Sequence, residues 1–392
     1  MHKIIKRDIT SKVLSATRKM PVLFITGPRQ SGKTTLVRSI FKSHKYVSLE
    51  NPDTRDFAIS DPRGFLKTHG SRVIIDEAQH VPALFSYIQT EVDEKKTKCS
   101  YILTGSQNFM LHSKISQSLA GRVKIFSLLP FSYNELKNTF HGNKTLPEYI
   151  FKGFYPRLYD TKMAPEDWYK SYIQTYIERD VRQILNVGDL NSFRVFLKVC
   201  AGRSGQVLNL SSIAGDIGVS YQTVKKWLSV LEQSYIVHLL QPYHVNLNKR
   251  LLKSPKLYFY DTGLLCSLLM LNSAEDYEMH YMKGSIFETF IISELLKNNL
   301  NRGLNYGFYF LRDSNGYEID CIAESSSSVR AIEIKAGSTI KSEFLNNLLK
   351  WNKLNPKINT LMSLIYGGDE DQIRHNIKIL NWRNIPKLMT PA

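Results

Sequence analysis

The chain has 392 residues, 43% of them apolar and 22% charged, with 52 lysines and arginines against 35 acids and a formal net charge of +17. That length exceeds one ordinary core and predicts roughly two or three domains, and the composition excludes a disordered or low-complexity chain. The basic excess suits a polyanionic partner, and charge and motifs together make DNA the expected one.

The amino-terminal MHKIIKRDIT turns polar too early for a secretory leader, and no apolar run approaches a membrane span. A cytoplasmic location without a membrane partner is therefore expected. Cys99, Cys200, Cys266 and Cys321 are scattered with no CxxC pair, which reads as reduced core thiols rather than a local zinc site.

Residues 22–26, VLFIT, read as a buried strand, and GPRQSGKT follows at once with a helical pattern, TTLVRSIF, behind it. The glycines at 27 and 32 let the loop bend around an anion that its backbone N–H groups would line. Gly27, Pro28, Arg29, Gln30, Ser31, Gly32, Lys33, Thr34 and Thr35 are thus the expected nucleotide-binding stretch. Lys33 is expected to reach the β and γ phosphates, and the Thr34 hydroxyl to ligate Mg2+.

After Arg72 comes VIIDEAQ, a buried strand ending in two acids. Asp76 suits a carboxylate that holds magnesium, and Glu77 suits the base that activates an attacking water. A third strand, YILTGSQN, ends in polar residues, of which Ser106 or Asn108 would position that water near the γ-phosphate. SLAGRVKIF then reads as a helix end, a turn at Gly121 and another strand, with Arg122 either sensing nucleotide or pairing with surface acids. This alternation predicts a mainly parallel sheet covered on both faces by helices, with ATP and Mg2+ at its carboxyl edge.

Residues 131–200 carry aromatic-rich helical stretches, among them WYKSYIQTYIERDVRQIL. Its Tyr172, Ile173, Tyr176 and Ile177 recur at helical spacing and read as core. Arg179 either reaches a nucleotide, in cis or from a neighbouring copy in a homo-oligomer, or pairs with Glu178 or Asp180.

From Leu210 the pattern changes, because Leu210, Ile213, Ala214 and Ile217 recur at i, i+3, i+4 and i+7 before Gly218 stops the helix. A second helix starts after Ser220, burying Val224, Trp227, Leu228 and Leu231 and leaving Tyr221, Gln222, Thr223, Lys225 and Lys226 on its other face. Helix, tight turn and basic second helix form a DNA-reader pattern. YIVHLLQPY and KLYFYD flank the basic NLNKRLLKSPK and would make a wing. Winged helices also dock proteins, so both kinds of partner stay open.

In the last third, GSIFETFIISELLK reads as an amphipathic helix bearing Glu288. FYFLRDSNGYEIDCIAE, a serine turn and VRAIEIKAG then read as two strands of a hairpin, with Asp320 ending one edge and Glu333 and Lys335 on the next. Strand alternation turns Ile332 and Ile334 inward and puts Glu333 and Lys335 together on the other face. Asp320 and Glu333 would hold Mg2+ or Mn2+, Lys335 would orient a water or steady a pentavalent phosphate, and Glu288 would complete the cluster, with Glu318 on the face of Asp320. Glu-x-Lys alone is ordinary cross-strand pairing. The ordered set of helix glutamate, aspartate and Glu-x-Lys favours a nuclease-like fold and leaves cleavage itself open.

GPRQSGKT, VIIDEAQ, LTGSQN, SLAGR, YIERDV, KSPKLYFYDTGLL, GSIFE, YEID and IEIK together make nearly the whole chain resemble one prokaryotic family. Its members are AAA-like, archaeal-ATPase-like P-loop ATPases joined to a carboxyl-terminal domain of unknown function that looks like PD-(D/E)XK nucleases. The resemblance implies an α/β fold class, with a P-loop parallel-sheet ATPase domain over residues 1–130 and a helical connector or lid over 131–200. A winged helix-turn-helix over 201–275 and an α/β restriction-endonuclease-like domain over 276–392 would follow.

The same likeness places the ATPase roles on Lys33 and Glu77 and the nuclease-type roles on Asp320, Glu333 and Lys335, without establishing cleavage, and the charge and two-helix pattern make DNA the expected substrate. The alternative it leaves is a nucleotide-switched DNA- or protein-binding regulator whose nuclease-like domain does not cut. Asp261, in YFYDTGLL, belongs to a family signature and is read as a helix cap.

Overall fold

A computed structural model describes residues 4–95, 98–106, 118–177, 190–243, 254–356 and 358–389. Five short strands in the first third, β1 (Val22–Thr26), β2 (Lys45–Ser48), β3 (Val73–Asp76), β4 (Tyr101–Gly105) and β5 (Val123–Ser127), form one sheet in the order β2-β3-β4-β1-β5. Every neighbouring pair is parallel. Parallel strands need crossovers, and helices supply them, including Lys33–Ile40 and Leu84–Lys95.

The period of two along each strand divides its apolar residues between two cores. Val22, Phe24, Ile75 and Leu103 face one helical layer, while Leu23, Ile25, Ile74 and Ile102 face the other with Leu36 and Val37. Since all five residues of β1 and of β4 are buried, these strands read as continuous apolar runs in the sequence. The expected sheet, covered on both faces, is what forms.

Residues 132–177 build a helical layer that begins at a capping box between Ser132 and Glu135. Its last described stretch, Ile173–Ile177, is wound as a π-helix after the regular helix Pro165–Tyr172. Tyr172 is buried as core, and Tyr176, partly buried against it, also meets the glycine loop, its hydroxyl 2.8 Å from the Gln30 side-chain nitrogen.

Helices Leu210–Ile217 and Tyr221–Gln233 follow the sequence reading closely. Asn209 and Ser220 cap their first turns, and Gly218 between them takes the left-handed φ of 74° that lets the chain reverse. Strands β6 (Val237–Pro242) and β7 (Lys256–Phe259) pair antiparallel, as a wing would. Most of the basic stretch between them lies outside the described residues.

The sequence did not reveal where that hairpin goes. Its β6 also pairs in parallel with β8 (Gly307–Arg312), joining Gln241 to Tyr309 and Pro242 to Phe310. With β9 (Glu318–Glu324), β10 (Val329–Lys335), β11 (Thr360–Tyr366), β12 (Gln372–Arg374) and β13 (Ile377–Asn381), it completes one eight-stranded sheet in the order β12-β13-β11-β10-β9-β8-β6-β7. The hairpin expected of two strands is therefore three, β8 to β10, and Asp320 sits inside β9 rather than at its end.

Helix Lys283–Arg302 corrects a second expectation. It is not amphipathic in the ordinary sense, because Thr289, Ser293, Glu294, Lys297 and Asn298 are buried along with Ile286, Phe290 and Leu295. The sheet covers one side and the helices of the middle region the other, so polar residues on it must find internal partners. Lys297 does so with Glu294 at 3.0 Å.

Asp261 ties these layers together at only 2% exposure. Its carboxylate caps helix Thr262–Leu268 by accepting from Leu264 N at 2.9 Å, and also accepts from Phe154 N at 2.7 Å and the Tyr169 hydroxyl at 2.6 Å. The helix cap read from the sequence is present, with two further donors from the helical layer. Asp261→Ala strands all three buried donors and is expected to cost about 2–4 kcal/mol. Urea unfolding followed by tryptophan fluorescence checks this, with Asp261→Asn losing visibly less.

Candidate nucleotide site and carboxyl-terminal carboxylate cluster

The loop after β1 adopts backbone angles that its sequence requires. Gly27 has φ of 146° and Gly32 of 91°, and a Cβ at Gly27 would collide with the Leu128 carbonyl. Gln30 holds a left-handed φ of 59° without being glycine, backbone strain of the kind that collects at ligand loops. The Lys33 ammonium, 5% exposed, donates to the loop's own carbonyls at Gly27 (3.0 Å) and Pro28 (2.8 Å). Ser31 Oγ is buried without a partner.

Beneath the loop, the Asp76 carboxylate gathers hydroxyls from three directions. Thr34 Oγ1 donates at 3.0 and 3.1 Å to its two oxygens, Tyr46 OH at 2.7 Å, and Thr104 Oγ1 makes a third contact. Burial, followed by this carboxylate, pushes the Tyr46 hydroxyl up to about 12, so it remains a donor at neutral pH.

Glu77 turns out of β3 in a left-handed conformation, φ 55°. Its Oε2 accepts from the Gln79 amide and from Ser106 Oγ at 3.3 Å. The structure thus brings Ser106 to Glu77, whereas Asn108 and Arg179 lie outside the described residues. Arg122 forms a two-pronged pair with Asp93 at 2.6 and 2.9 Å on the surface, the surface-acid alternative of its two readings.

Two crevices flank the loop. One, of about 470 Å³, is lined by Gln30, Lys33, Thr34, Glu77 and Arg157. The other, of about 600 Å³, lies across Gly32 between the amino-terminal Ile4 and Ile5 and the side chains of Thr35, Leu36, Phe131 and Pro156. The first is polar and suits phosphates. The second has the apolar walls a nucleobase requires.

Arg7 and Arg157 escaped the sequence reading. Arg7, 6% exposed, donates to Glu135 Oε1 at 3.0 Å, the Ser31 carbonyl at 2.8 Å and the Leu129 carbonyl at 2.6 Å. It thereby fastens the glycine loop to the helical layer. Neither arginine belongs to a local pattern, since each gains its meaning from residues distant in sequence.

In the second sheet, Lys335 Nζ lies 3.0 Å from Asp320 Oδ2 and 2.6 Å from Glu333 Oε2. Asp320 also accepts from the Ile334 amide at 2.8 Å. Glu333 is 1% exposed, and its Oε1 is buried with no partner. Burial and then the Asp320 charge push Glu333 up to about 8, with Lys335 opposing.

Glu288 stands apart from that pair, engaged by the Tyr258 hydroxyl and by Lys256 at 3.2 Å. Burial, then Asp320, raises it to about 7, although Lys256 and Tyr258 pull the other way. Asp320, Glu333 and Glu288 do not converge on a point. Among the described residues, the one trio of metal-ligating types whose ligand atoms all lie within 4.8 Å of one another is Glu50, Glu77 and His80.

Comparison with known proteins bears on each region. Residues 19–137 match a family described as AAA domain, residues 143–275 a domain of unknown function, DUF8612, and residues 283–385 a further domain of unknown function, DUF4143. The chain is 30% identical over 338 residues to the uncharacterized protein Rv2008c of Mycobacterium tuberculosis, covering 85% of this chain and 74% of that protein. The uncharacterized protein Mb2031c of Mycobacterium bovis matches over the same span at the same identity. A solved structure, the Walker-type ATPase PABY2304 of Pyrococcus abyssi, aligns at 14% identity with a TM-score of 0.40, covering 68% of this chain and 96% of that one.

The first third is thus a P-loop domain of the AAA type, a class that binds and hydrolyses ATP. Among the described residues, no helix is long and apolar enough to cross a membrane. Gly27→Ala should force the loop away from Leu128 and weaken binding of a fluorescent ATP analogue at least tenfold, about 1.4 kcal/mol, while leaving the protein folded by circular dichroism.

Proposed function

The chain belongs to the same family as the two mycobacterial proteins, and we propose that it is an ATP-hydrolysing, DNA-processing protein whose carboxyl-terminal centre is a metal-dependent nuclease. The observation that carries the ATPase half is the direct hydrogen bonding of Thr34 to Asp76 under a glycine loop, with Glu77 and Ser106 beside them. A hydroxyl and a carboxylate side by side are the hard oxygen donors that magnesium takes alongside nucleotide phosphates. Magnesium held there supplies positive charge to the transferring phosphate.

The chain's own residues do the rest. Lys33 exchanges the loop carbonyls at Gly27 and Pro28 for phosphate oxygens, and the partnerless Ser31 hydroxyl is a further donor inside the loop. Glu77 takes the proton of the attacking water once released from Gln79, and Ser106 orients it. Arg157, exposed on the phosphate crevice at the start of helix Arg157–Asp160, reaches the terminal phosphate from the same chain.

DNA action rests on the second helix of the two-helix unit. Tyr221, Gln222, Lys225 and Lys226 are exposed along Tyr221–Gln233, opposite the buried Val224, Trp227 and Leu228. Polar and basic side chains on one helix face are what phosphates and base edges require. For the nuclease half, the buried, unpartnered Glu333 Oε1 next to Asp320 suits a divalent cation, and Lys335 would steady the phosphate. The competing reading, a nucleotide-switched DNA- or protein-binding regulator, draws on Glu288 being held by Lys256 instead of joining Asp320 and Glu333.

Steady-state ATP turnover tests the first half. Lys33→Ala and Glu77→Gln should each reduce kcat by at least about 100-fold, and Arg157→Ala by about 10³-fold, whereas an inactive wild type would end the ATPase reading. For DNA, Lys225→Ala combined with Lys226→Ala should weaken duplex binding and flatten the dependence of log affinity on log salt by about two, near 0.9 per lost phosphate contact. Plasmid nicking with Mg2+ or Mn2+ that disappears in both Asp320→Ala and Lys335→Ala would establish cleavage. ATP-dependent DNA binding without any scission would favour the regulator.

A further inference from the structure

Lys256 opens β7, the strand that returns to the second sheet after the two-helix unit, and it is 2% exposed. Its ammonium lies 3.2 Å from Glu288 Oε1 and 2.5 Å from Glu318 Oε1, and 5.5 Å from the centroid of the Phe310 ring. Tyr258, two residues along the same strand and therefore on the same face, donates its hydroxyl to the same Glu288 oxygen. The helix glutamate and the first residue of β9 thus already hold a cation, and the chain itself provides it.

A second lysine in this cluster behaves differently. Lys335 sits between Asp320 and Glu333, but its side chain is 30% exposed against 3% for Lys256. The partly exposed lysine can swing toward solvent or substrate and free its carboxylates. Lys256 has no such exit. Burial disfavours its charge, but Glu288, Glu318 and Asp320 outweigh burial and raise it above the ordinary lysine range. A buried ammonium so paired is costly to remove, because Glu288 would be left without a cation, whereas Glu318, partly exposed, keeps Arg312 at 3.7 Å. The two halves of the cluster also differ in what is unsatisfied, since Glu333 retains a buried oxygen with no partner.

We propose that Lys256 is a tethered cation occupying the place of a second divalent ion, so that the carboxyl-terminal centre takes one Mg2+ or Mn2+ at Asp320 and Glu333 and none at Glu288 and Glu318. This rests on the metal-centre reading of Asp320 and Glu333 above. The geometry supports the exclusion, because divalent ions sit about 2.0–2.6 Å from their oxygen ligands, and the ammonium nitrogen fills that space. Because Lys256 comes from the hairpin beside the two-helix unit, the charge of the centre is set from outside the region that carries its carboxylates.

The test counts Mn2+ bound by the nucleotide-free full-length protein, using electron paramagnetic resonance and calorimetry. Asp320→Asn should remove one ion from the wild type, while Glu288→Gln should remove none. Lys256→Met should gain one ion, and adding Glu288→Gln to it should abolish that gain. Should Lys256→Met fail to melt cooperatively, Lys256→Gln takes its place, and the Glu288→Gln result in the native protein remains decisive. Loss of an ion in Glu288→Gln, or no gain in a folded Lys256 variant, overturns the tethered-cation proposal. If Asp320→Asn removes no ion, the metal-centre reading fails and the single-ion count fails with it, whereas a gain in Lys256→Met would still show that the lysine excludes metal from Glu288.

Discussion

The carboxylate of Asp76 is the interaction on which the first third depends. Its hydroxyl partners come from β2 through Tyr46, from β4 through Thr104 and from the helix after β1 through Thr34. One buried charge therefore ties β2, β3, β4 and the helix after β1 together. Without those donors it would be desolvated and uncompensated. With them it is held beneath the glycine loop, at the edge where a parallel sheet leaves backbone groups and helix amino termini free for a ligand.

From that anchor the coupling runs outward through two other buried polar residues. Arg7 joins the Ser31 carbonyl in the glycine loop to Glu135 in the helical layer, 128 positions from the arginine in sequence. Asp261 then joins the helical layer, through Tyr169 and the Phe154 amide, to the helix that follows β7. Arg7 bonds the glycine loop directly, whereas Asp261 connects the helical layer to the region of the second sheet. Each is a buried polar junction whose directed bonds specify the packing of its layers more sharply than hydrophobic contact alone would.

What could be read from the sequence follows from how local each signal is. The glycine loop, the strand ending in Asp76 and Glu77, and the two-helix unit with Gly218 at its turn each concentrate their information within one short continuous stretch, as helical and strand periodicities do. Tyr46, Thr104 and Arg7 carry no local mark. Their roles appear only when strands distant in sequence become neighbours. The aromatic stripe packs as core, yet nothing local says that Tyr176 also reaches Gln30 in the loop. Helix Lys283–Arg302 was misread as amphipathic because periodicity reveals one apolar face but not a second layer closing over the polar one.

Lys256 shows the limit most clearly. Within NLNKRLLKSPK it is one of several basic residues, and a run of like charge reads as a solvated or DNA-facing surface. In the fold it enters strand β7 and is buried against Glu288 and Glu318. The same sheet then contains two lysine–carboxylate groups of opposite character, one sealed by Phe310 and the helix above it, the other half open beside an unpartnered oxygen of Glu333. Residue identity does not distinguish them, because both are lysines between two acids. Access to solvent does, since a cation that cannot leave acts as structure and one that can leave is free to be exchanged for a ligand.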